Sequence, residues 1–556
     1  VFLPMEERFL MKNTMIPDSI WINAHIQTMD DSLPSAQAFA VAGGRITALG
    51  TDDEILSLRG PQTEIHDLEG YFVYPGFIEG HMHLPMYGDS LLTLPVRDRS
   101  RQKILEMVRQ RVAQSAPGEW IVGGMGWNNE VWDDPSYPSA LELDAVAPQN
   151  PVLLPRMDGH MIWVNHRALE AAGVTEQTPD PEHGEFMRNP DGTLLGCVTN
   201  EAAEQVKAFV PEKTALQRKD ALLAAQQQLL QYGVTNVNDM GTSLEDVHDL
   251  KALYESGEYK LRFHGALHYA LGPDAPADEK AYLAQCPEID LYNGHFTVRA
   301  CKLLGDGAVG SQSACLKQDY SDRPGHRGVK MRTDSELYAC VREAAEHGMQ
   351  MIIHAIGDDT IDQVLRVYQQ VLQDVPTPDH RWHIEHFQTV DGDQPERARE
   401  LGVWPSMQPL HAPNSASMAL RRLGPDRASR AYAGGLVLRK IGHISWGSDA
   451  PVATPSPLSG MHAAITRTND KLLPKGGFFP ENAVTPEEAL LGYTRWGAEA
   501  QFTEKECGTL SVGKYADFVV LDQDLLKTAS EVPDDLLKLR VLMTAIDGCP
   551  VYRAKN

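Results

Sequence analysis

From residue 214 to residue 446, short strand-like runs alternate with helical stretches, and no other feature limits the fold of this chain so strongly. Strand-like runs fall at residues 235–240, 261–268, 297–304, 350–354, 382–387, 403–407 and 443–446. Residues 214–231, rich in Ala, Leu and Gln, have a helical pattern. So do residues 334–347, with Thr333, Asp334 and Ser335 as capping candidates and Gly348 as the stop. Strands that follow one another through helices pair in parallel, because each connection must cross back over the sheet. The pattern therefore predicts a parallel sheet or a barrel.

The two ends of the chain read differently. Residues 19–74 contain short β-like runs broken by turns such as Gly43-Gly44, and similar runs return at 518–521, 541–546 and 551–552. Each set is too small to bury a core alone. We therefore expect one β-sandwich domain composed of residues 16–74 and 507–556, with a barrel of residues 75–506 inserted in it. Residues 85–205 interrupt the alternation with Trp, Gly and Pro and a hairpin signal at Asn189-Pro190-Asp191-Gly192. They read as a large insertion after the first barrel strand, folded over the barrel mouth.

Composition narrows the function. The 556 residues carry 50 Lys and Arg against 76 Asp and Glu, a net charge of −26. This disfavours nucleic acid and anionic membrane surfaces, which select for clustered positive charge. No run approaches the roughly 18 apolar residues of a membrane span. Residues 1–15 lack a continuous apolar stretch and a small-residue cleavage site, so they read as a leader or remnant rather than a signal peptide. Seven scattered cysteines without a Cys-x-x-Cys pair fit reduced thiols in the cytoplasm.

The chemistry concentrates at strand ends. In Pro75-Gly76-Phe77-Ile78-Glu79-Gly80-His81-Met82-His83 the two histidines are two residues apart, so on a strand they share a face and can chelate one divalent ion. Lys302, His354, His386 and Asp449 stand at or just past the ends of other predicted strands. A β/α unit in a barrel averages about 31 residues. His354 and His386 are 32 residues apart, or one unit, and His386 and Asp449 are 63 apart, or two. Lys302 precedes His354 by 52 residues, one unit with a long loop. The 219 residues from His83 to Lys302 amount to three units plus the insertion. This spacing places the six residues on strands 1, 4, 5, 6 and 8, at the barrel end where active sites form.

With these motifs the sequence resembles the metal-dependent amidohydrolase superfamily, and within it the YtcJ-like (Amidohydrolase_3) group that includes N-substituted formamide deformylase-type enzymes. The likeness spans nearly the whole chain. It takes in Asn23, Thr28-Met29-Asp30 and Ala40-Val41-Ala42-Gly43-Gly44-Arg45-Ile46, the Pro75–His83 motif, Gly126-Trp127, Asp158-Gly159-His160, Val164-Asn165, and Gly508-Thr509-Leu510 through Ala516-Asp517. It implies a (β/α)8 barrel holding one or two divalent ions, with zinc suiting the donors and Mn²⁺, Fe²⁺ or Co²⁺ fitting them too. His81, His83 and Asp449 would hold one ion, and His354 and His386 the second. Lys302 stands where many members carry an N-carboxylated lysine bridging two metals; the alternative is an unmodified cation paired inside the barrel.

The reaction implied is hydrolysis of a non-peptide amide, formamide or N-acyl bond in a small molecule by metal-activated water, with Asp449 as general base. Ester, lactone or cyclic-imide hydrolysis and deamination use the same kind of site, and an inert binding protein or a Schiff-base lyase at Lys302 are further alternatives. His160 is a candidate donor to the substrate carbonyl. Trp127, Gln408 and His411 are candidate substrate contacts. His383 and Glu385, at odd offsets from His386, fit supporting or core roles. Cys301, facing away from Lys302, fits a core thiol. The resemblance also implies a homo-oligomer, a dimer or larger.

Overall fold

Eight parallel strands carry the predicted alternation in the computed structural model, which describes residues 16–97, 99–124, 126–129, 132–156, 161–181 and 184–555. They are β1 (Phe77–Met82), β2 (Val234–Thr242), β3 (Arg262–Leu267), β4 (Phe296–Leu304), β5 (Gln350–Ala355), β6 (His383–His386), β7 (Trp404–Met407) and β8 (Ser445–Trp446). Each pairs with the next in sequence, and a parallel bridge between Met82 and Ala450 joins the last to the first. The spacing argument placed its residues on the strands they occupy: His81 on β1, Lys302 on β4, His354 on β5, His386 on β6 and Asp449 just after β8.

Glycine permits the closure. A Cβ on Gly80 in β1 would lie 2.3 Å from Ser445 Oγ and 2.6 Å from the Trp446 carbonyl oxygen of β8. Any larger residue there would force the two strands apart. The connecting helices start as their sequences suggest. Thr333 caps Asp334–Glu346 in a reciprocal capping box with Glu336, and Gly348 follows at φ +70°.

Both ends of the chain enter one six-stranded sheet. Phe72–Pro75 pairs antiparallel with Phe518–Leu521, which pairs in turn with Val541–Ile546. A four-stranded sheet, containing Ser19–Ile22 and Ala38–Ala42, packs with it around Trp21, Phe39, Val73, Phe518 and Met543. Beneath the barrel, the buried Arg262 of β3 binds Asp517 through two nitrogens, at 2.6 and 3.0 Å. It also reaches Asp547 at 2.6 Å, so the tail is tied to the barrel by charge-assisted bonds.

The insertion forms its own compact unit, Pro85–Ala225. It holds a five-stranded sheet whose antiparallel pair Gly184–Arg188 and Leu194–Thr199 flanks the expected hairpin turn. The unit runs past the expected end at residue 205. Within it, Ala202, Ala203 and Val206 of the helix Asn200–Lys207 pack against Leu153, Ile162 and Val198. All seven cysteines are free thiols, six of them buried. Among the described residues no helix is long and apolar enough to cross a membrane.

Candidate metal centre

The site starts from the two-residue period of β1, which turns Glu79, His81 and His83 toward the same side of the strand. Two backbone bonds fasten this strand to the segment after β8: Asp449 N–H donates to the His81 carbonyl at 2.7 Å, and His83 N–H to that of Ala450 at 2.9 Å. Asp449 has φ +59°, a left-handed conformation that a non-glycine residue adopts at a cost of about 1–2 kcal/mol. Its Oδ1 lies 3.3 Å from Nε2 of both His81 and His83.

Asp449 belongs to two groups of potential ligands. The first is His81, His83 and Asp449; the second is His386, His411 and Asp449, with the donor atoms of each group within 4.8 Å of one another. His411 opens the short helix His411–Asn414 beyond β7, and its ring lies parallel to that of His386. Among the described residues, Nε2 of His81 and of His411 are buried without hydrogen-bond partners. Imidazole lone pairs converging with a shared carboxylate are the donor set of a divalent cation, so these residues fit the metal that the sequence implies. Burial tends to raise the pKa of Asp449, but the imidazoles of His81 and His83 outweigh it and hold the carboxyl well below its usual range.

Behind the ligands stands a buried supporting shell. Glu385, fully enclosed on β6, accepts at Oε2 from His81 Nδ1, and its Oε1 lies 3.0 Å from His383 Nδ1. Such a bond sets the tautomer that leaves the other nitrogen free for a metal. The Gln408 side-chain oxygen plays the same part for His386, 2.7 Å from its Nδ1. Glu79 Oε1 accepts from the backbone N–H of His81 and Ser448, while burial pushes its pKa up to about 7. Asp239 of β2 accepts from Leu84 N–H and Thr242 Oγ1, and burial raises it also. Period two along β1 singles out Glu79. Asp239 stands in the mixed polar and apolar run Val234–Thr242, and no sequence signal marks it.

Lys302 is 2% exposed on β4, and among the described residues its ammonium has neither a hydrogen bond nor an ion pair. Burial pulls its pKa down against the opposing pull of Glu385, Asp449 and Asp239. His354 turns its Nε2 to the Gly307 carbonyl at 3.2 Å and packs its ring edge-on against His386, outside both ligand groups. The neighbouring Asp306 carboxylate, which accepts from the N–H groups of Cys315, Ile356 and Gly357, supports that loop.

Trp127 is fully buried in the insertion's own core. Its Nε1 donates to the Leu154 carbonyl, and its ring stacks on Trp132, leaving none of the indole to a substrate. His160 lies outside the described residues.

Comparison with known proteins agrees with this architecture. The model of the amidohydrolase family matches residues 64–552. Protein LONG AFTER FAR-RED 3 of Arabidopsis thaliana is 32% identical over 97% of this chain and 92% of its own. N-substituted formamide deformylase of Arthrobacter pascens is 28% identical over 97% of this chain and 99% of its own. The crystal structure of an uncharacterized metal-dependent hydrolase from Pyrococcus furiosus superimposes with a TM-score of 0.75. It is 26% identical and covers 91% of this chain and 99% of its own. The chain belongs to the amidohydrolase family and is a metal-dependent hydrolase acting on carbon–nitrogen bonds.

Proposed function

We propose that the chain hydrolyses the C–N bond of a small non-peptide amide, formamide or related N-acyl compound, with Asp449 as general base. The observation that carries this reading is the Asp449 carboxylate shared by two converging ligand groups. The likeness to an N-substituted formamide deformylase over almost the full length supports the substrate class. His81, His83 and Asp449 would hold one divalent ion. His386 and Asp449 would hold a second, joined by His411 rather than by His354, whose Nε2 is engaged elsewhere. Imidazole and carboxylate donors suit zinc. A cation held there supplies Lewis acidity that polarises the substrate carbonyl and acidifies the attacking water.

The chain's own groups do the rest. Asp449, held ionised, accepts the proton of the attacking water and delivers it to the leaving nitrogen. Glu385 and Gln408 keep the ligand imidazoles in the tautomer that leaves Nε2 free. Lys302 is read as N-carboxylated. Among the described residues no carboxylate lies within ion-pair distance of it, and burial lowers its pKa against the pull of Glu385, Asp449 and Asp239, which favours the neutral amine that reacts with CO₂. The free thiols support a reducing, cytoplasmic setting.

The test is metal content and turnover of His83→Ala and Asp449→Asn on a panel of formamides and N-acyl amines. Loss of both metal and hydrolysis in His83→Ala, and of hydrolysis in Asp449→Asn, is expected. Full retention of metal and activity by both variants contradicts the reading.

A further inference from the structure

The strands alone build a floor inside the barrel. Met240 of β2, Ala266 of β3, Ala300 of β4 and Ile352 of β5 form one buried cluster that contains no helix residue. Two residues further along a strand, the side chain faces the same interior one level higher. On β4 and β5 that level carries Lys302 and His354, and beyond β3 it carries His268. The ladder extends that far, because His268 N–H donates to the Thr242 carbonyl of β2 at 3.2 Å. Leu267 pairs with Cys301, so His268 stands beside Lys302. Neither group of potential metal ligands includes this imidazole.

His268 is partly buried, with its ring edge-on to the exposed Tyr269. Its Nδ1 is enclosed, and among the described residues it has no hydrogen-bond partner. A buried N–H without an acceptor is rarer than a buried lone pair without a donor, so the ring proton belongs on Nε2. Burial is the largest influence on the ring and pulls its pKa down, which favours the neutral form. The metal ligands are close by. A Cβ on Gly241 of β2 would lie 3.3 Å from His83 Nδ1, so His83 packs on β2, and β3 is the next strand. Two inter-strand spacings, about 10 Å, separate the backbones of His83 and His268, which leaves room for a small acyl group between the two rings.

We propose that His268 is a catalytic residue, whose Nε2–H donates to the substrate carbonyl oxygen as negative charge gathers there. The inference rests on the hydrolase reading of the centre and adds to it a donor that faces the carbonyl. Asp449, between β8 and β1, takes the proton of the attacking water, which leaves the carbonyl oxygen directed toward β3. As the water oxygen bonds to the carbonyl carbon, the π pair moves onto the carbonyl oxygen and the bond from Nε2–H tightens without proton transfer. The pair returns as the C–N bond breaks and the leaving nitrogen takes the proton from Asp449. A fixed donor aimed where charge develops acts on the transition state more than on the bound substrate, so it raises kcat more than it lowers KM.

The experiment measures zinc content, kcat and KM of the wild type, His268→Gln and His268→Leu with N-butylformamide. Glutamine can set its amide nitrogen near the position of Nε2, and leucine has no donor. In His268→Leu kcat should fall at least about 100-fold with KM within about threefold, while His268→Gln stays within about tenfold of the wild type. Both variants should keep the wild-type metal content. A His268→Leu kcat within about threefold of the wild type, equal losses in the two variants, or loss of metal overturns the proposal. Should His268→Leu fail to fold, His268→Met takes its place in the same comparison. If the wild type does not turn over the formamide, the hydrolase reading fails on that substrate. Calorimetric titration of the zinc-loaded protein with butyl methylphosphonate, a mimic of the tetrahedral intermediate, then decides His268 alone. Binding that His268→Leu weakens at least about tenfold, and His268→Gln less, supports the role. Equal binding by the wild type and His268→Leu, or none by the wild type, refutes it.

Discussion

Replacing Glu385 by Gln removes one negative charge from the centre of the barrel while barely changing volume. Glu385 is fully buried between two imidazoles, His81 Nδ1 on one side and His383 Nδ1 on the other. A glutamine has one accepting oxygen and one donating nitrogen, so it must choose. His383 can face the amide nitrogen, because its Nε2 is 3.3 Å from the Ala500 carbonyl and can carry the ring proton there. The oxygen then stays with His81, which keeps the tautomer needed for a metal at Nε2 and loses only the charge assistance. Loss of such a supporting partner costs 10–100-fold in metal affinity, and this reasoning places Glu385→Gln near the lower bound, about 1.4 kcal/mol. Glu385→Ala leaves His81 Nδ1 with no partner and should lie nearer 100-fold. The assay is competition for Zn²⁺ against a chelator of known affinity, with melting curves to verify folding. Wild-type affinity in both variants, or equal losses in the two, would refute the reasoning.

Other consequences concern stability. Arg262→Met strands the Asp517 carboxylate, 3% exposed, whereas Asp547 keeps His295 Nε2 at 2.7 Å. Breaking one side of such a buried pair costs about 3–5 kcal/mol, to be read from the denaturation midpoint at constant m-value. Glu79 has its folded pKa raised by burial to about 7, so between about pH 4.5 and 7 the folded protein keeps a proton that the unfolded chain releases. Its contribution is full at the acid end and is lost as the pH rises through 7. Glu79→Gln should therefore gain on the wild type between pH 5 and 8, by up to about 3 kcal/mol in urea titrations, and a pH-independent difference would contradict this. Mass analysis of intact protein prepared with bicarbonate should show one added CO₂ that Lys302→Met lacks.

The features legible in the sequence are those that a covalent period controls. The spacing of His354, His386 and Asp449 counts β/α units, and the interval from His83 to Glu79 counts residues along a single face. Contacts made by loop turns were not legible. His411 meets Asp449 and His386 because the chain turns into a short helix beyond β7. His354 stands outside both groups, with its Nε2 3.2 Å from the Gly307 carbonyl in the loop after β4. The exact partner of Glu385 lies 304 residues away, and no local pattern predicts which histidine that is. From its neighbours in sequence Trp127 reads as core more readily than as a pocket wall. Its packing with Trp132 and Trp163 is decided by the insertion's own sheet.

The central claim is that hydrolysis depends on divalent ions held by the histidines and Asp449. It is tested most directly by stripping the purified protein with a chelator and following turnover of a hydrolysable N-formyl amine as Zn²⁺ or Mn²⁺ is returned. The account predicts that activity vanishes with the metal and returns to a plateau at one or two ions per chain, while His83→Ala regains little. Metal-free protein that retains full hydrolysis would contradict it.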